Sequence, residues 1–341
     1  MPIIEDMNRS DFLLSVVICT FNRAELLARA LGALSGQTLD SDQFEVVVVD
    51  DGSTDDTRRV VESFRPRLRL RYAYQMNAGL ASGKNHGLFL SCSPIVLFLD
   101  DDDVADSNLL EQHYRSHQDY PQQRYAVLGY TDLTRAAARS PLMQYVTQIG
   151  CQLFSYPHLT DGDILDFSYF WGGRSSCKRM FLLENGVFNP VFRFGAEDIE
   201  AGFRLSKVGL KVIFNRLAVS HMIRTIDFDG FCRRCYRQGR SNWIFSQLHP
   251  EEAVLSWTRV EGIQQAWEKI CPRYEQILKM GRDLDRLAGE RQQADLGLDE
   301  LTLKLLYRAY AAAFEASRIK GTASMQQDKE RLPRQEVAPA N

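Results

Sequence analysis

Hydrophobic and polar positions follow two alternating periods along the first hundred residues. Ser15 to Thr20 is a short apolar run that reads as a buried strand, and Val46 to Val49 is the all-valine run that parallel sheets bury on both faces. Between them Leu26, Leu27, Ala30, Leu31 and Leu34 recur with the 3.6-residue period of a helix ending near Gly36. Asn22, with Glu25 three positions on, predicts its N-cap and capping box. Ser53 or Thr54 is placed to cap a second helix. Leu68 to Tyr74 reads as a third strand, Gly79 to Ser91 as a third helix and Ile95 to Leu99 as a fourth strand. Four strands and three helices in strict alternation predict a parallel α/β sheet with right-handed crossovers, and such sheets gather ligands at the carboxyl ends of their strands.

From Leu128 to about Val219 the pattern changes to shorter elements, with Trp171, Gly172, Gly173 and a Phe-rich stretch from Phe181 to Phe203. This part is expected to complete the sheet and hold a second substrate. Beyond Ile226 the composition is helical, and the tail from Gly321 is expected to be disordered. Arg65, Arg67, Arg69 and Arg71 alternate with Leu68, Leu70 and Tyr72, which places the arginines on one strand face. A charged guard on a sheet edge is the first reading, and an anionic-membrane patch the alternative.

Composition narrows the function classes. The 341 residues leave room for two domains, and 41 Lys plus Arg nearly balance 44 Asp plus Glu, so no global field suits nucleic acid. No apolar run approaches the ~20 residues that span a bilayer. The first eleven residues, with Glu5 and Asp6, lack the apolar core of a signal peptide. A cytoplasmic location is expected, with peripheral contact at the inner face of the membrane left open. Seven cysteines without framework spacing agree. Cys232 and Cys235 form a CxxC in a helical pattern with no second pair, and are expected to be neutral thiols. Around them Arg233, Arg234, Arg237 and Arg240 with Tyr236 and Trp243 make a basic aromatic patch, suited either to a diphosphate or anionic acceptor or to a solvated face.

The acids are concentrated where ligands should gather. Strand two ends in Asp50 and Asp51, and strand four ends in Asp100, Asp101, Asp102 and Asp103. Carboxylates so placed repel one another unless cations or hydrogen-bond donors sit between them. A divalent metal with a phosphate ligand is the expected guest, and oxygen-only ligation suits Mg²⁺ or Mn²⁺. Helix capping is the lesser alternative for Asp103 or Asp106.

Seven segments in order carry a resemblance: CTFNR (Cys19 to Arg23), VVVVDDGSTDDT (Val46 to Thr57), NAGLASGKNHGL (Asn77 to Leu88), LFLDDDD (Leu97 to Asp103), WGGRSSCKRMFLLENGVFNP (Trp171 to Pro190), FGAEDIEAGFRLSKVG (Phe194 to Gly209) and His221. Together they resemble glycosyltransferase family 2. The resemblance implies a GT-A fold, a Rossmann-like α/β domain with a mostly parallel central sheet, over 1–222. Its donor half would be about 11–103 and its acceptor half about 104–222. A helical extension over 223–320 and a disordered tail over 321–341 would follow, the extension being a candidate for oligomer formation.

The resemblance further implies inverting transfer of a sugar from a nucleotide-diphospho-sugar, foremost a UDP-sugar, to a saccharide or lipid-linked acceptor. Thr20, Phe21, Asn22, Arg23, Asp51, Lys84, Asp100, Asp101 and Gly173 would bind the donor. Phe21 would stack on the base, Asp51 would accept from it, Asp101 would face the ribose, and Arg23 and Lys84 would serve base or diphosphate. Asp102, Asp100 and His221 would hold Mn²⁺ or Mg²⁺, which stabilises the leaving diphosphate. Asp198 would be the base, with Glu197 orienting hydroxyls and Trp171 stacking on the acceptor. Arg174 stands where relatives commonly have Asn, which leaves the sugar open. A non-catalytic nucleotide-sugar-binding protein and a nucleotidyltransferase are the alternatives. The absence of a Gly- and Arg/Lys-rich loop after strand one disfavours the nucleotidyltransferase.

Overall fold

The computed structural model describes residues 12–331, which divide into two compact units at Thr225/Ile226. The acidic N-terminal stretch and the last ten residues of the tail lie outside the described residues.

In the first unit, β1 (Leu14–Thr20), α1 (Ala24–Leu34), β2 (Phe44–Asp50), α2 (Thr57–Phe64), β3 (Leu70–Tyr74), α3 (Leu80–Leu90) and β4 (Ile95–Phe98) follow one another in the expected alternation. Every residue of β2 is buried, as its valine run requires of a strand covered on both faces. Leu27, Leu31 and Leu34 turn inward from α1 onto Val16, Ile18, Val46 and Val48 in one apolar cluster. The next elements are β5 (Asp103–Ala105), α4 (Leu109–Asp119), β6 (Tyr125–Leu133), α5 (Pro141–Gln144), β7 (Ile164–Leu165), β8 (Ser175–Lys178), α6 (Arg179–Asn185), α7 (Glu197–Ser206) and β9 (Lys211–Met222).

The nine described strands make one sheet, ordered β3-β2-β1-β4-β8-β6-β9-β5, with β7 beside β9. Strands β1 to β4 pair in parallel, but β8 runs antiparallel to β4 and β6, and β5 and β7 run antiparallel to β9. The sheet is thus parallel throughout its first half, and in its second half the parallel β6–β9 pair stands among the antiparallel strands β8, β5 and β7.

Three local expectations are corrected. Asn22 does not cap α1: it adopts φ 51°, and its Oδ1 accepts the Thr54 amide at 2.8 Å. Neither Ser53 nor Thr54 caps α2. Asp55 instead accepts from the Thr57 amide and hydroxyl at that end. The arginine row is broken, because β3 begins only at Leu70. Arg71 alone reaches inward, to the fully buried Glu45 at 2.9 Å, on what is the edge strand.

The second unit is helical: α8 (Phe228–Leu248), α9 (Glu252–Thr258), α10 (Ile263–Ile270), α11 (Tyr274–Gln293) and α12 (Glu300–Arg331). Helix α12 continues ten residues past Gly321, where a disordered tail was expected. Gly321 is not a terminator but a crossing point: a Cβ there would collide with the Tyr236 backbone of α8. Burial pushes the Cys232 thiol up to about 11 and the Cys235 thiol up to about 12, so both are neutral at physiological pH. Among the described residues no helix is long and apolar enough to cross a membrane.

Candidate active site

The carboxyl ends of β1, β2 and β4 adjoin one another because these strands pair in parallel and in register. Asp50 ends β2 with both oxygens used, one by the Tyr72 hydroxyl and one by the Ser53 amide, each at 2.7 Å. Asp51 pins the segment before α3. Its Oδ1 accepts from Gln75 Nε2 at 2.7 Å and the Ala78 amide at 2.9 Å, and its Oδ2 from the Gly79 amide at 2.9 Å. Phe21 stands at the rim, 45% exposed, so it is not a core residue and its ring is open to a planar partner.

The run Asp100–Asp103 meets three guanidinium groups. Asp101 is buried and holds Thr20 Oγ1 at 2.8 Å and Arg23 Nη1 at 2.7 Å. Asp102 accepts from Arg224 Nε at 2.6 Å, with Arg23 at 3.6 Å. Asp103 is fully buried, bonded to Ser220 Oγ at 3.3 Å and to Arg174 Nη2 at 3.4 Å, and burial lifts its carboxyl to about 7. Arg174 also reaches Asp100 at 3.3 Å, and Thr131 Oγ1 at 2.8 Å through its Nε. Asp100 is the one carboxylate of the run with substantial exposure, 37% of its side chain. The two Asp101 oxygens are thus engaged by Thr20 and Arg23, whereas Asp100 keeps an open face.

The expected metal group is not assembled as a triad. His221 lies beside Val104 across the β5–β9 pair, and its Nε2 is 3.0 Å from Asp106 Oδ1. Among the described residues no three His, Cys, Asp or Glu side chains are gathered to hold an ion. What does fit a hard cation is the donor set itself: Asp100 and Asp102 offer oxygens only, and the Arg224 guanidinium already occupies Asp102 with positive charge.

The acid pair opens α7. Ala196, at φ 65°, turns the chain so that Glu197 and Asp198 begin the helix. Glu197 is buried and its Oε1 is 2.8 Å from the Nζ of Lys84, itself buried and 5.3 Å from the Phe188 ring centroid. Lys84, expected at the base or diphosphate, is committed here instead. Among the described residues Glu197 Oε2 is buried without a partner. Asp198 accepts from the Gly172 amide at 2.9 Å and the Ile199 amide at 2.8 Å. Burial, then the Glu197 charge, raises its carboxyl above the usual range, against Lys84 and the two amides.

Gly172 and Gly173 join the two acidic centres. A Cβ on Gly172 would collide with Lys84 Nζ, and one on Gly173 with the Asp100 carboxylate. Trp171 is half-buried, anchored by Nε1 to the Ser168 carbonyl at 2.8 Å and set against Tyr156 and Tyr169. Arg224 is the group that sequence reasoning missed; its signal was a cation three residues past His221, just beyond the end of β9.

Residues 15–166 match the family model described as "Glycosyl transferase family 2". Validoxylamine A glucosyltransferase of Streptomyces hygroscopicus subsp. jinggangensis (strain 5008) is 35% identical over 227 residues, covering 60% of this chain and 54% of that one. Chondroitin synthase of Escherichia coli is 28% identical over 226 residues, 58% of this chain and 32% of that one. The chain thus spans about half the length of the first of these relatives, and a third of the other. Among solved structures, the mannosyltransferase PcManGT from Pyrobaculum calidifontis, in complex with GDP-Man and Mn²⁺, superposes with TM-score 0.59 at 19% identity over 93% of this chain and 87% of its own. S. aureus TarS in complex with UDP-GlcNAc gives 0.55 at 17% over 93% and 92%. At such identities the likeness concerns the fold.

Proposed function

We propose that this chain, whose residues 15–166 match glycosyltransferase family 2, is a GT-A glycosyltransferase that transfers a sugar from a UDP-sugar to a saccharide hydroxyl with inversion. One observation carries the reading. The Gly172–Gly173 dipeptide bonds Asp198 on one side and abuts Asp100 on the other, so the two acidic centres are held on either side of one pair of small residues.

There Asp198 takes the proton of the attacking hydroxyl. Its carboxyl, raised by burial and then by the Glu197 charge, is more basic than a free aspartate and draws the proton more strongly as the bond forms. Glu197 presents Oε2 to a sugar or acceptor hydroxyl while Lys84 holds its other oxygen. Phe21 stacks on the base, and Asp51 keeps the segment from Gln75 to Gly79 in place around it. Asp100 faces the ribose and Trp171 meets the acceptor. Asp102 with Asp100 would hold Mn²⁺ or Mg²⁺, whose charge would stabilise the departing diphosphate. Arg23 and Arg224, bonded to Asp101 and Asp102, supply further positive charge beside the same acid run.

The neighbours bound to UDP-GlcNAc and GDP-Man support a nucleotide-sugar donor in general, and the lone pair left on Asp51 Oδ2 favours a uracil imide. Incubation with a panel of UDP-sugars and GDP-mannose should release nucleoside diphosphate, and EDTA should suppress the release. Binding without release from any donor would leave a nucleotide-sugar-binding protein instead, and EDTA-insensitive turnover would sink the cation assignment.

A further inference from the structure

The helical unit contains a cavity of about 350 Å³ lined by Asp229, Cys232, Arg233, Tyr236, Tyr274, Leu278 and Lys320, from α8, α11 and α12. That volume is at the lower end of small-ligand sites, enough for one sugar ring with a charged substituent. Its charges are unequally committed. Asp229, the only acid in the lining, is clasped by both arms of Arg282 at 2.7 and 2.9 Å, and its carboxyl is held below the usual range by those bonds. Among the described residues Arg233 and Lys320 have no such carboxylate partner. The Lys320 ammonium is set 4.0 Å from the Tyr274 ring centroid, a contact that fixes its place without cancelling its charge.

Tyr236 supplies the second aromatic wall, its hydroxyl 3.3 Å from Ser324 Oγ, which Arg240 Nη1 also reaches at 3.2 Å. The Ser324 bond first, and then the charges of Arg240 and Lys320, pull the Tyr236 phenol below its ordinary value, the mark of a positive local potential. Two tyrosines beside two cations that no carboxylate bonds make a wall that recognises a ring and an anion together. Inorganic anions have no use for the rings, and neutral sugars have no use for the cations.

We propose that this cavity binds an anionic saccharide unit, bearing a phosphate or a carboxylate, and that the acceptor is accordingly an anionic glycan. The clause on the acceptor rests on the glycosyltransferase reading; the binding site itself does not.

The test is ligand-observed NMR on the full chain with glucose 6-phosphate, glucuronate, glucose and inorganic phosphate. At least one of the two anionic sugars should bind, more tightly than glucose or phosphate by about tenfold, and the tighter of the two names the anion. Arg233→Gln and Lys320→Gln should each weaken that binding about tenfold, Arg233→Lys should retain most of it, and Asp229→Asn should strengthen it. UDP release from the donor alone should be unchanged in all four variants, which also reports that they are folded. Glucose binding as tightly as glucose 6-phosphate, phosphate binding as tightly as either sugar, no binding by either anionic sugar, or binding indifferent to Arg233→Gln with Lys320→Gln would each overturn the site. Saccharide binding intact in a chain that releases no nucleotide from any donor would overturn the enzymatic reading and leave the site standing.

Discussion

Two acidic centres lie on either side of Gly172 and Gly173, and they are balanced differently. At the strand ends four carboxylates meet three guanidinium groups, those of Arg23, Arg174 and Arg224. At the start of α7 two carboxylates share one ammonium, and Lys84 bonds only Glu197. Each count leaves one negative charge over, but in the first centre every carboxylate is within reach of a guanidinium, whereas in the second, among the described residues, Asp198 has no cation bonded to it. Burial, and then the Glu197 charge, raises the Asp198 carboxyl. Acidic residues thus do two kinds of work here, one set by the cations bonded to them and the other by the lack of one.

If that division is right, neutralising each centre should fail in a different way. Asp198→Asn should lower kcat by about 10³-fold while the Kd for UDP stays within twofold by calorimetry. Full activity in that variant would return the base assignment to Glu197. Asp102→Asn should cost about 10²-fold, and the loss should appear in donor affinity and in the Mn²⁺ concentration needed for half-maximal rate. An equal loss with unchanged cation dependence would erase the distinction between the centres.

Lys84→Met leaves Glu197 buried without its cation. Breaking such a pair costs about 3–5 kcal/mol, which lowers Tm by roughly 10 °C in a unit of this size. The same variant tests the pH dependence. Asp198 acts only when ionised, so the rate should rise with pH through an ionisation displaced upward from the ordinary ~3.9. Lys84 opposes that displacement, so its removal should carry the acid limb of kcat to still higher pH, and a limb that stays put would refute the coupling. The smallest effect expected is at the rim: Phe21→Ala should weaken UDP binding about fivefold by loss of one stacked ring, with kcat untouched.

Legibility was uneven in the same way. The valine run and the 3.6-residue period of α1 were enough to predict the first four strands, because burial on both faces leaves an unmistakable pattern. The caps at Asn22 and Ser53 were misread, since Asn22 bonds the Thr54 amide across 32 positions and no local rule anticipates such a partner. His221 and Arg224 show the same limit. His221 stands out in the sequence and Arg224 does not, because that Arg224 and not His221 reaches Asp102 depends on how β9 lies against β5.

Residue types and their order by themselves determined the α/β alternation, the acid ends of β2 and β4 and the acid pair before α7, because burial, charge repulsion and helix initiation are read over short spans. Only the tertiary structure decided which cation each carboxylate receives: Lys84 for Glu197 from 113 positions away, Arg224 for Asp102 from 122. Attraction between charges depends on distance in space and on exclusion of water, and neither is written in the distance along the chain.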